Sequence, residues 1–250
     1  MPENLFTILV LIWIGVALVT FPFLLKIRTP YGRHSTKGWG PMIDNKLGWF
    51  IMELPTLALF VYFYLTGPLE KDIYKWIIFS MFTLHYVNRI FIFPFRTKTK
   101  NKKMPLIIAL SAVVFNLVNG SINGYWLGWF AQPYEQISLL HFIPGIIIFI
   151  TGFIINQYAD NKLINLRKKG DTGYYIPRGG LFNYISCPNF FGEIIEWTGF
   201  AIMAWSLPAF AFMVWTMANL IPRAINHHQW YQEKFDDYPA ERKAIIPFVV

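Results

Sequence analysis

The sequence predicts an all-α membrane protein built as a bundle of seven transmembrane helices. Of its 250 residues, 55% are hydrophobic, 19% are aromatic and only 14% are charged, whereas soluble domains are about a quarter charged. A helix needs roughly 20 mostly apolar residues to cross the hydrocarbon core of a bilayer. Seven apolar runs approach or exceed that length. They are Leu5–Leu25, Leu47–Leu65, Ile73–Phe95, Pro105–Leu127, Leu139–Ala159, Leu181–Trp205 and Leu207–Ile221.

The two ends of the chain need separate justification. Leu5–Leu25 is too long for the core of a signal peptide and lacks a basic start and a small-residue cleavage site, so we interpret it as a membrane helix. The sixth and seventh runs are separated only by a tight turn at Ser206–Leu207–Pro208. The seventh run is short, and we expect it to tilt or to continue past the bilayer. No repeat or linker divides the chain, so we expect residues 1–250 to form one domain.

The loops between the runs alternate in charge. The first, third and fifth loops and the tail are basic, the second is mixed, and the fourth carries only Glu135. The basic residues are Lys26, Arg28, Arg33, Lys37, Lys46, Arg96, Lys98, Lys100, Lys102, Lys103, Lys162, Arg167, Lys168, Lys169, Arg178, Arg223, Lys234, Arg242 and Lys243. Because cytosolic loops are rich in Lys and Arg, we predict an outer N-terminus and a cytosolic C-terminus. The net charge of +8 then reflects topology, and we expect no nucleic-acid partner.

Polar residues inside the membrane segments gather toward the cytosolic side. Glu53 lies about six residues inside helix two, and Tyr86 and Arg89 share one face of helix three. Helices four to seven add Asn116, Asn119, Asn123, Asn156, Asp160, Asn189, Glu193, Glu196, Arg223, His227 and Tyr231. A single asparagine often only bonds a neighbouring helix, and a single arginine can snorkel. Carboxylates, arginines and a tyrosine in one leaflet instead predict a cavity, open to the cytosol, for a charged ligand.

Several kinds of site are disfavoured by the motifs. The five histidines lack the H-x-x-H-H pattern of membrane di-iron enzymes, and Glu193 and Glu196 lack a Glu-x-x-His partner, so we expect no metal. A P-loop and a G-x-G-x-x-G fingerprint are also missing from the sequence, so any nucleotide must be held in another way. A channel would need a polar path through both leaflets, whereas the outer halves of these helices are apolar.

A long series of motifs runs through the C-terminal half and continues upstream. Its members are Gly179–Phe182, Asn189–Trp197, Trp205–Ala209, Arg223–Ala224, His227–His228, Tyr231, Phe235–Pro239 and Arg242–Phe248, preceded by Asn156, Asp160, Leu166–Lys168, Tyr174–Pro177, Asn119–Gly120, Gly124–Tyr125, His85–Tyr86, Arg89 and Glu53–Pro55. This series resembles the steroid 5α-reductase (3-oxo-5α-steroid 4-dehydrogenase) family over nearly the whole chain. We interpret the chain as a bacterial-type member.

The resemblance implies a seven-helix enzyme that uses NADPH to reduce the Δ4 double bond of a 3-oxosteroid, with hydride added at C5 and a proton at C4. Glu53 and Tyr86 would polarise the 3-oxo group. The implied cofactor residues are Tyr31, Arg89, Asn156, Asp160, Arg167, Tyr174, Asn189, Glu193, Arg223, His227 and Tyr231. Helices one to four would form mainly the substrate side, and helices five to seven with the cytosolic loops the NADPH side.

The partners implied are a hydrophobic 3-oxo-Δ4-steroid, or a related lipid enone, and membrane lipid. We expect a monomeric, multi-pass protein, located in the inner membrane if the chain is bacterial. Met52, Phe93 and Tyr175 replace a glutamine, a tyrosine and an arginine found in other family members, which affects the choice of substrate. Two alternatives stay open at this stage: an ene-reductase for another sterol or enoyl lipid, and a membrane S-adenosylmethionine-dependent methyltransferase of related fold.

Overall fold

The computed structural model of the protein describes residues 1–28, 30, 32–34, 37–98, 101–133, 138–168, 171 and 173–249. Within these residues the chain is mostly helical, and each predicted apolar run overlaps one of seven long helices. They are α1 (Glu3–Lys26), α2 (Asn45–Thr66), α3 (Ile73–Arg96), α4 (Leu106–Trp129), α5 (Leu139–Asn165), α6 (Pro188–Ala204) and α7 (Leu207–Lys234). Helices α1 to α5 are long and apolar enough to cross a bilayer, as expected of a multi-pass membrane protein.

The predicted start of the sixth helix is wrong. α6 begins at Pro188 and not at Leu181, because Gly179 and Gly180 have φ values of +86° and +59° and lead into a short 3₁₀ turn, Gly180–Asn183. Proline at the first position then starts the helix. α7 has 28 residues and ends at Lys234, so the seventh run continues beyond Ile221, as expected of so short a run. Apolarity alone locates a helix inside the bilayer, but it does not show where an amphipathic helix ends outside it.

Close contact between α2 and α4 depends on small residues. A Cβ atom added at Gly120 or Gly124 of α4 would meet the backbone of Thr56 or Phe60 of α2. The two glycines are four residues apart, which is the spacing of small residues that lets membrane helices approach each other closely. The side chains of α4 that flank these glycines are therefore held at short distance from α2.

α5 and α6 are also in backbone contact. A Cβ at Gly152 of α5 would meet the backbone of Glu196, and a Cβ at Gly192 of α6 would meet the backbone of Asn156. α1 packs mainly on α7, and α6 also packs on α7. The bundle is thus made of helix pairs whose faces close around a shared interior.

An aromatic core fills the half of the bundle opposite the basic loops. Phe60 and Phe82 stack with ring centroids 3.9 Å apart, and Trp197 lies 4.1 Å from Phe212 and 5.6 Å from Phe82. These side chains are buried. A channel through the bundle would have to cross this packed cluster.

Short strand pairings tie the basic loops together at the other end. β1 (Met42–Asp44) and β2 (Lys103–Pro105) pair antiparallel and join the loop after α1 to the loop after α3. A single bridge between Ile185 and Lys243 joins the segment before α6 to the C-terminal tail. The loops that carry most of the positive charge therefore cover one end of the bundle together.

Candidate active site

One cavity of about 650 Å³ lies between the helices, lined by residues from each of α1 to α7 and from the basic loops. Within the described part of the chain, every predicted site residue lines it except Asn156. Tyr31 lies outside the described residues. The lining residues among those predicted are Glu53, Tyr86, Arg89, Asp160, Arg167, Tyr174, Asn189, Glu193, Arg223, His227 and Tyr231.

Glu53 and Tyr86 face the cavity beside a row of asparagines on α4. Asn116 Nδ2 donates to Glu53 Oε2 at 3.3 Å and to the main-chain carbonyl of Met52 at 2.6 Å. Asn119 Nδ2 donates to the hydroxyl of Tyr86 at 3.3 Å. A phenol oxygen that accepts this bond keeps its own proton for a further acceptor. The arrangement can therefore donate a hydrogen bond to an oxygen that enters the cavity.

Arg89 occupies the centre of an ion cluster at the cavity wall. Its Nη1 lies 3.4 Å from Asp160 Oδ2, and its Nη2 lies 3.8 Å from Glu193 Oε2. The guanidinium lies beside the T-shaped pair of Trp49 and Phe93 rings, 4.7 and 4.8 Å from their centroids. Ion pairs and ring faces together fix the direction of a long side chain that would otherwise sample many rotamers.

The backbone around Arg89 is a π-helix over Asn88–Ile92, inside an otherwise α-helical α3. Pro94 follows this π-helix. Because a proline has no N–H and clashes with the carbonyl four residues earlier, the regular series of backbone hydrogen bonds is disturbed and the turn widens at this point. Such π-helical turns are frequent at functional sites. Arg89, inside this turn, and Phe93, directly after it, both line the cavity.

Asn156 lies behind the wall rather than on it. It is almost fully buried, and its Nδ2 donates to the main-chain carbonyl of Asn189 at 3.0 Å and lies 3.5 Å from Glu193 Oε2. Asn189 in turn donates to Asp160 Oδ1 at 3.1 Å. Asn156 thus holds two lining residues in place.

The end of the cavity under the basic loops combines cations with aromatic rings. The guanidinium of Arg33 lies 4.4 Å from the ring centroid of Tyr231 and 5.4 Å from that of Tyr174. Arg167 lies 4.5 Å from the ring of Tyr174, and its Nε donates to the carbonyl of Gly173 at 2.7 Å. This packing presents two guanidinium groups on the same aromatic surface.

A third cation belongs to the same group. Burial, followed by the charges of Arg167 and Arg33, lowers the pKa of Lys102 to about 8. Arg33 Nη1 is buried and has no hydrogen-bond partner among the described residues. Clustered cations that have unused hydrogen-bond donors favour the binding of an anion. A guanidinium group can bind two oxygens of one phosphate, so phosphate is the anion that this cluster favours.

His227 is held by two rings. Its ring stacks on Phe190 and on His34, with centroids 5.6 and 5.2 Å away, and its Nδ1 lies 3.1 Å from His34 Nε2. Burial, and then the charges of Arg33 and Arg28, lower the pKa of His34 to about 4. His34 is therefore neutral at pH 7 and adds no charge to the neighbouring cations.

The lining residues that sequence reasoning did not assign to the site include Arg33, Lys102 and His85. The first two were interpreted only as topology signals, because residues in loops have no periodicity that would show where they point. His85 forms a buried pair with Glu196, with Nδ1 and Oε1 2.7 Å apart. Its position beside Tyr86 in the sequence was the available signal.

The remaining walls are mainly apolar and aromatic. Trp215 of α7 packs on Trp13 of α1, with centroids 4.6 Å apart, and its Nε1 donates to the carbonyl of Trp13 at 3.0 Å. Val16 of α1 and Val114 of α4 line the cavity and are also exposed on the outer surface. The cavity therefore reaches the surface between α1 and α4.

Comparison with known proteins decides the family. The family model described as 3-oxo-5-alpha-steroid 4-dehydrogenase matches residues 102–250. The chain belongs to this family. Steroid 5-alpha-reductase DET2 of Gossypium hirsutum is 44% identical over 94% of this chain and 93% of its own length. The 3-oxo-5-alpha-steroid 4-dehydrogenase 1 of Rattus norvegicus is 40% identical over 94% of this chain and 92% of its own length. The protein of the same name from Homo sapiens is 38% identical over 99% of this chain and 96% of its own length.

Membership of the 3-oxo-5-alpha-steroid 4-dehydrogenase family confirms the resemblance seen in the sequence motifs. The relatives align over nearly the full chain, so α1 and α2, outside the matched region 102–250, are shared as well. That the chain is of bacterial type stays a prediction.

Proposed function

We propose that this chain is an NADPH-dependent membrane enzyme that reduces the Δ4 double bond of a 3-oxo-Δ4-steroid to the 5α-reduced 3-oxosteroid. The observation that carries the proposal is the pairing of Tyr86 and Glu53 with the asparagines of α4, inside a cavity whose other end is cationic. Family membership supplies the reaction class. Met52 lines the cavity beside Glu53 and offers no side-chain donor.

The substrate carbonyl is activated by hydrogen bonding. When an enone is reduced at its β-carbon, negative charge develops on the carbonyl oxygen. The Tyr86 hydroxyl, already accepting from Asn119, can donate its proton toward that oxygen. Glu53 accepts a hydrogen bond from Asn116. In its protonated form, Glu53 is a second donor to the substrate oxygen, beside Tyr86. A donor placed where charge develops contributes about 3 kcal/mol to the transition state.

The residues at the basic end fit NADPH. Arg33, Lys102, Arg167 and Arg223 line the cavity, and Arg33 has an unused buried donor that a phosphate oxygen could satisfy. Tyr174 holds the Arg167 guanidinium against its ring at this end. Bound there, the cofactor would supply the hydride. The chain itself binds the phosphates through these cations and orients the carboxamide end with Asn189, Asp160 and Glu193. The methyltransferase alternative lacks this support because S-adenosylmethionine has no phosphate.

The topology proposed is seven spans, with the N-terminus outside and the tail in the cytosol, folded as one domain. The pairing of β1 with β2 and the bridge between Ile185 and Lys243 bring the basic loops together, and the excess of Lys and Arg supports placing them in the cytosol. NADPH then reaches its end of the cavity from the cytosol. The steroid enters from lipid between α1 and α4, where Val16 and Val114 are exposed. We expect a monomer, located in the inner membrane if the chain is bacterial.

The test is NADPH oxidation by the purified protein in detergent with progesterone, with mass analysis of the product. Tyr86→Phe should lower kcat about 100-fold, the effect of losing one donor to a developing oxyanion, and should leave the Kd for NADPH unchanged. Tyr62→Phe is the matched control, because Tyr62 is exposed on α2. The proposal fails if wild-type protein oxidises no NADPH with any enone, or if Tyr86→Phe is as active as wild type.

A further inference from the structure

One buried pair of titratable side chains lies beside Tyr86 and takes no part in the proposed activation of the carbonyl. His85 of α3 and Glu196 of α6 are both buried, and His85 Nδ1 lies 2.7 Å from Glu196 Oε1. The ring of His85 lines the cavity, 5.2 Å from the ring of Tyr86, whereas the fully buried Glu196 lies behind it. Because Nδ1 faces Glu196, Nε2 is the ring nitrogen of His85 that is left to face the cavity.

The surroundings of this pair favour a state without net charge. Arg89, four residues after His85, lies 3.4 Å from Asp160 and 3.8 Å from Glu193, so two carboxylates already share its guanidinium. Glu193 is also three residues from Glu196 and therefore next to it on the surface of α6. Glu196 Oε2 is buried and has no hydrogen-bond partner among the described residues. A further uncompensated negative charge here is costly, so the pair retains a proton.

The retained proton determines what His85 presents to the cavity. If an imidazolium faces the carboxylate of Glu196, both ring nitrogens carry a hydrogen. If a neutral imidazole accepts from a protonated Glu196, Nδ1 is the acceptor and Nε2 carries the hydrogen. In both states Nε2–H is a donor toward the cavity, and a second proton lies between Nδ1 and Oε1.

We propose, on the basis of the proposed function, that His85 is the general acid that protonates C4 of the substrate and that Glu196 is the residue that positions it. C4 is bonded directly to the carbonyl carbon, so a carbonyl held at Tyr86 brings C4 to the part of the cavity that His85 lines.

The step is balanced in atoms and electrons. Hydride adds to C5, and the electron pair of the C4–C5 double bond moves to form an enolate whose oxygen accepts from Tyr86. C4 of the enolate then takes the hydrogen of His85 Nε2, which restores the C3 carbonyl, and the proton shared with Glu196 stays on Nδ1. The pair then has one negative charge, which water neutralises by returning a proton when the product leaves.

The experiment is reduction of progesterone by NADPH in D2O with the purified protein in detergent, with kcat measured and the deuterium located in the product by NMR. Wild type should place deuterium at one of the two C4 positions, because a fixed donor reaches one face of the enolate. His85→Gln should lower kcat about 100-fold, as expected for loss of a general acid, and leave the Kd for NADPH unchanged. Its product should have deuterium at both C4 positions, because water then supplies the proton.

Two further variants separate the proton from the fold. Glu196→Gln keeps the size of the side chain but cannot hold the shared proton, so kcat should fall while the Kd for NADPH stays unchanged; it also serves if His85→Gln does not fold. His141→Gln is the matched control, because His141 stacks on the exposed ring of Trp205, with centroids 4.8 Å apart. This control should match wild type in kcat and in the position of the label.

Two results would overturn the inference. One is a kcat of His85→Gln within about twofold of wild type. The other is a lower kcat with deuterium still at one C4 position, which would assign the proton to a different donor and leave His85 a packing role. Both results require an active wild type and leave the proposed function intact, whereas a wild type that reduces no enone refutes the proposed function itself.

Discussion

The affinity for NADPH should fall as pH rises through the pKa of Lys102, which burial and the charges of Arg167 and Arg33 lower to about 8. The ammonium contributes to phosphate binding only while protonated. Its protonated fraction drops from about nine-tenths at pH 7 to about one-tenth at pH 9, so the Kd for NADPH should rise about tenfold over that interval. His34, with a pKa of about 4, stays neutral over the same interval.

The assay is fluorescence titration of NADPH into the purified protein at pH 7, 8 and 9 at constant ionic strength. Lys102→Arg keeps its charge at each pH and should bind with a nearly flat profile. The Kd of Lys102→Gln for NADPH should also be independent of pH, but at pH 7 it should be higher than that of wild type. If wild type and Lys102→Arg show the same pH dependence, another group titrates, and the assignment of Lys102 to a phosphate is wrong.

Two further predictions concern packing. Gly124→Val should lower the melting temperature by several degrees, because its side chain would overlap the backbone of Phe60, whereas Gly15→Ala meets nothing within 4 Å and should leave thermal unfolding unchanged. Tyr238→Leu should raise the Kd for NADPH while kcat stays within about twofold. The Tyr238 ring stacks on the Tyr231 ring, with centroids 5.2 Å apart, and the guanidinium of Arg33 lies over the Tyr231 ring, so loss of the stack should displace Arg33. Tyr238→Phe keeps the stack and is the control; an equal loss in both variants would contradict the stacking argument.

Helix positions were predictable from apolar runs where the whole helix is surrounded by lipid. The run Ile73–Phe95 matches α3, which ends at Arg96, within one residue. The start of α6 was not predictable in the same way, because Leu181–Cys187 is apolar enough to extend the run but has a 3₁₀ turn and ends at Pro188. Hydropathy measures the preference for lipid and is insensitive to backbone geometry.

The site was predictable in its helical part and less so in its loops. Glu53, Tyr86 and Arg89 stand out because polar side chains in a membrane helix need a partner. Arg33 and Lys102 do not stand out, because basic residues in cytosolic loops are ordinary. Only the folding of these loops over the bundle end, through the pairing of β1 with β2, brings them to the cavity.

The proposed catalytic pair and the packing of the helices are linked through α4. Its asparagines Asn116 and Asn119 bond Glu53 and Tyr86, while Gly120 and Gly124 set the distance between α4 and α2. A larger residue at either glycine would push the helices apart and lengthen the bonds that orient the carbonyl-binding pair. A variant with a larger residue at Gly120 or Gly124 should therefore lose activity at temperatures below its melting temperature. The hydrogen bonds from Asn116 and Asn119 lengthen before the helices separate.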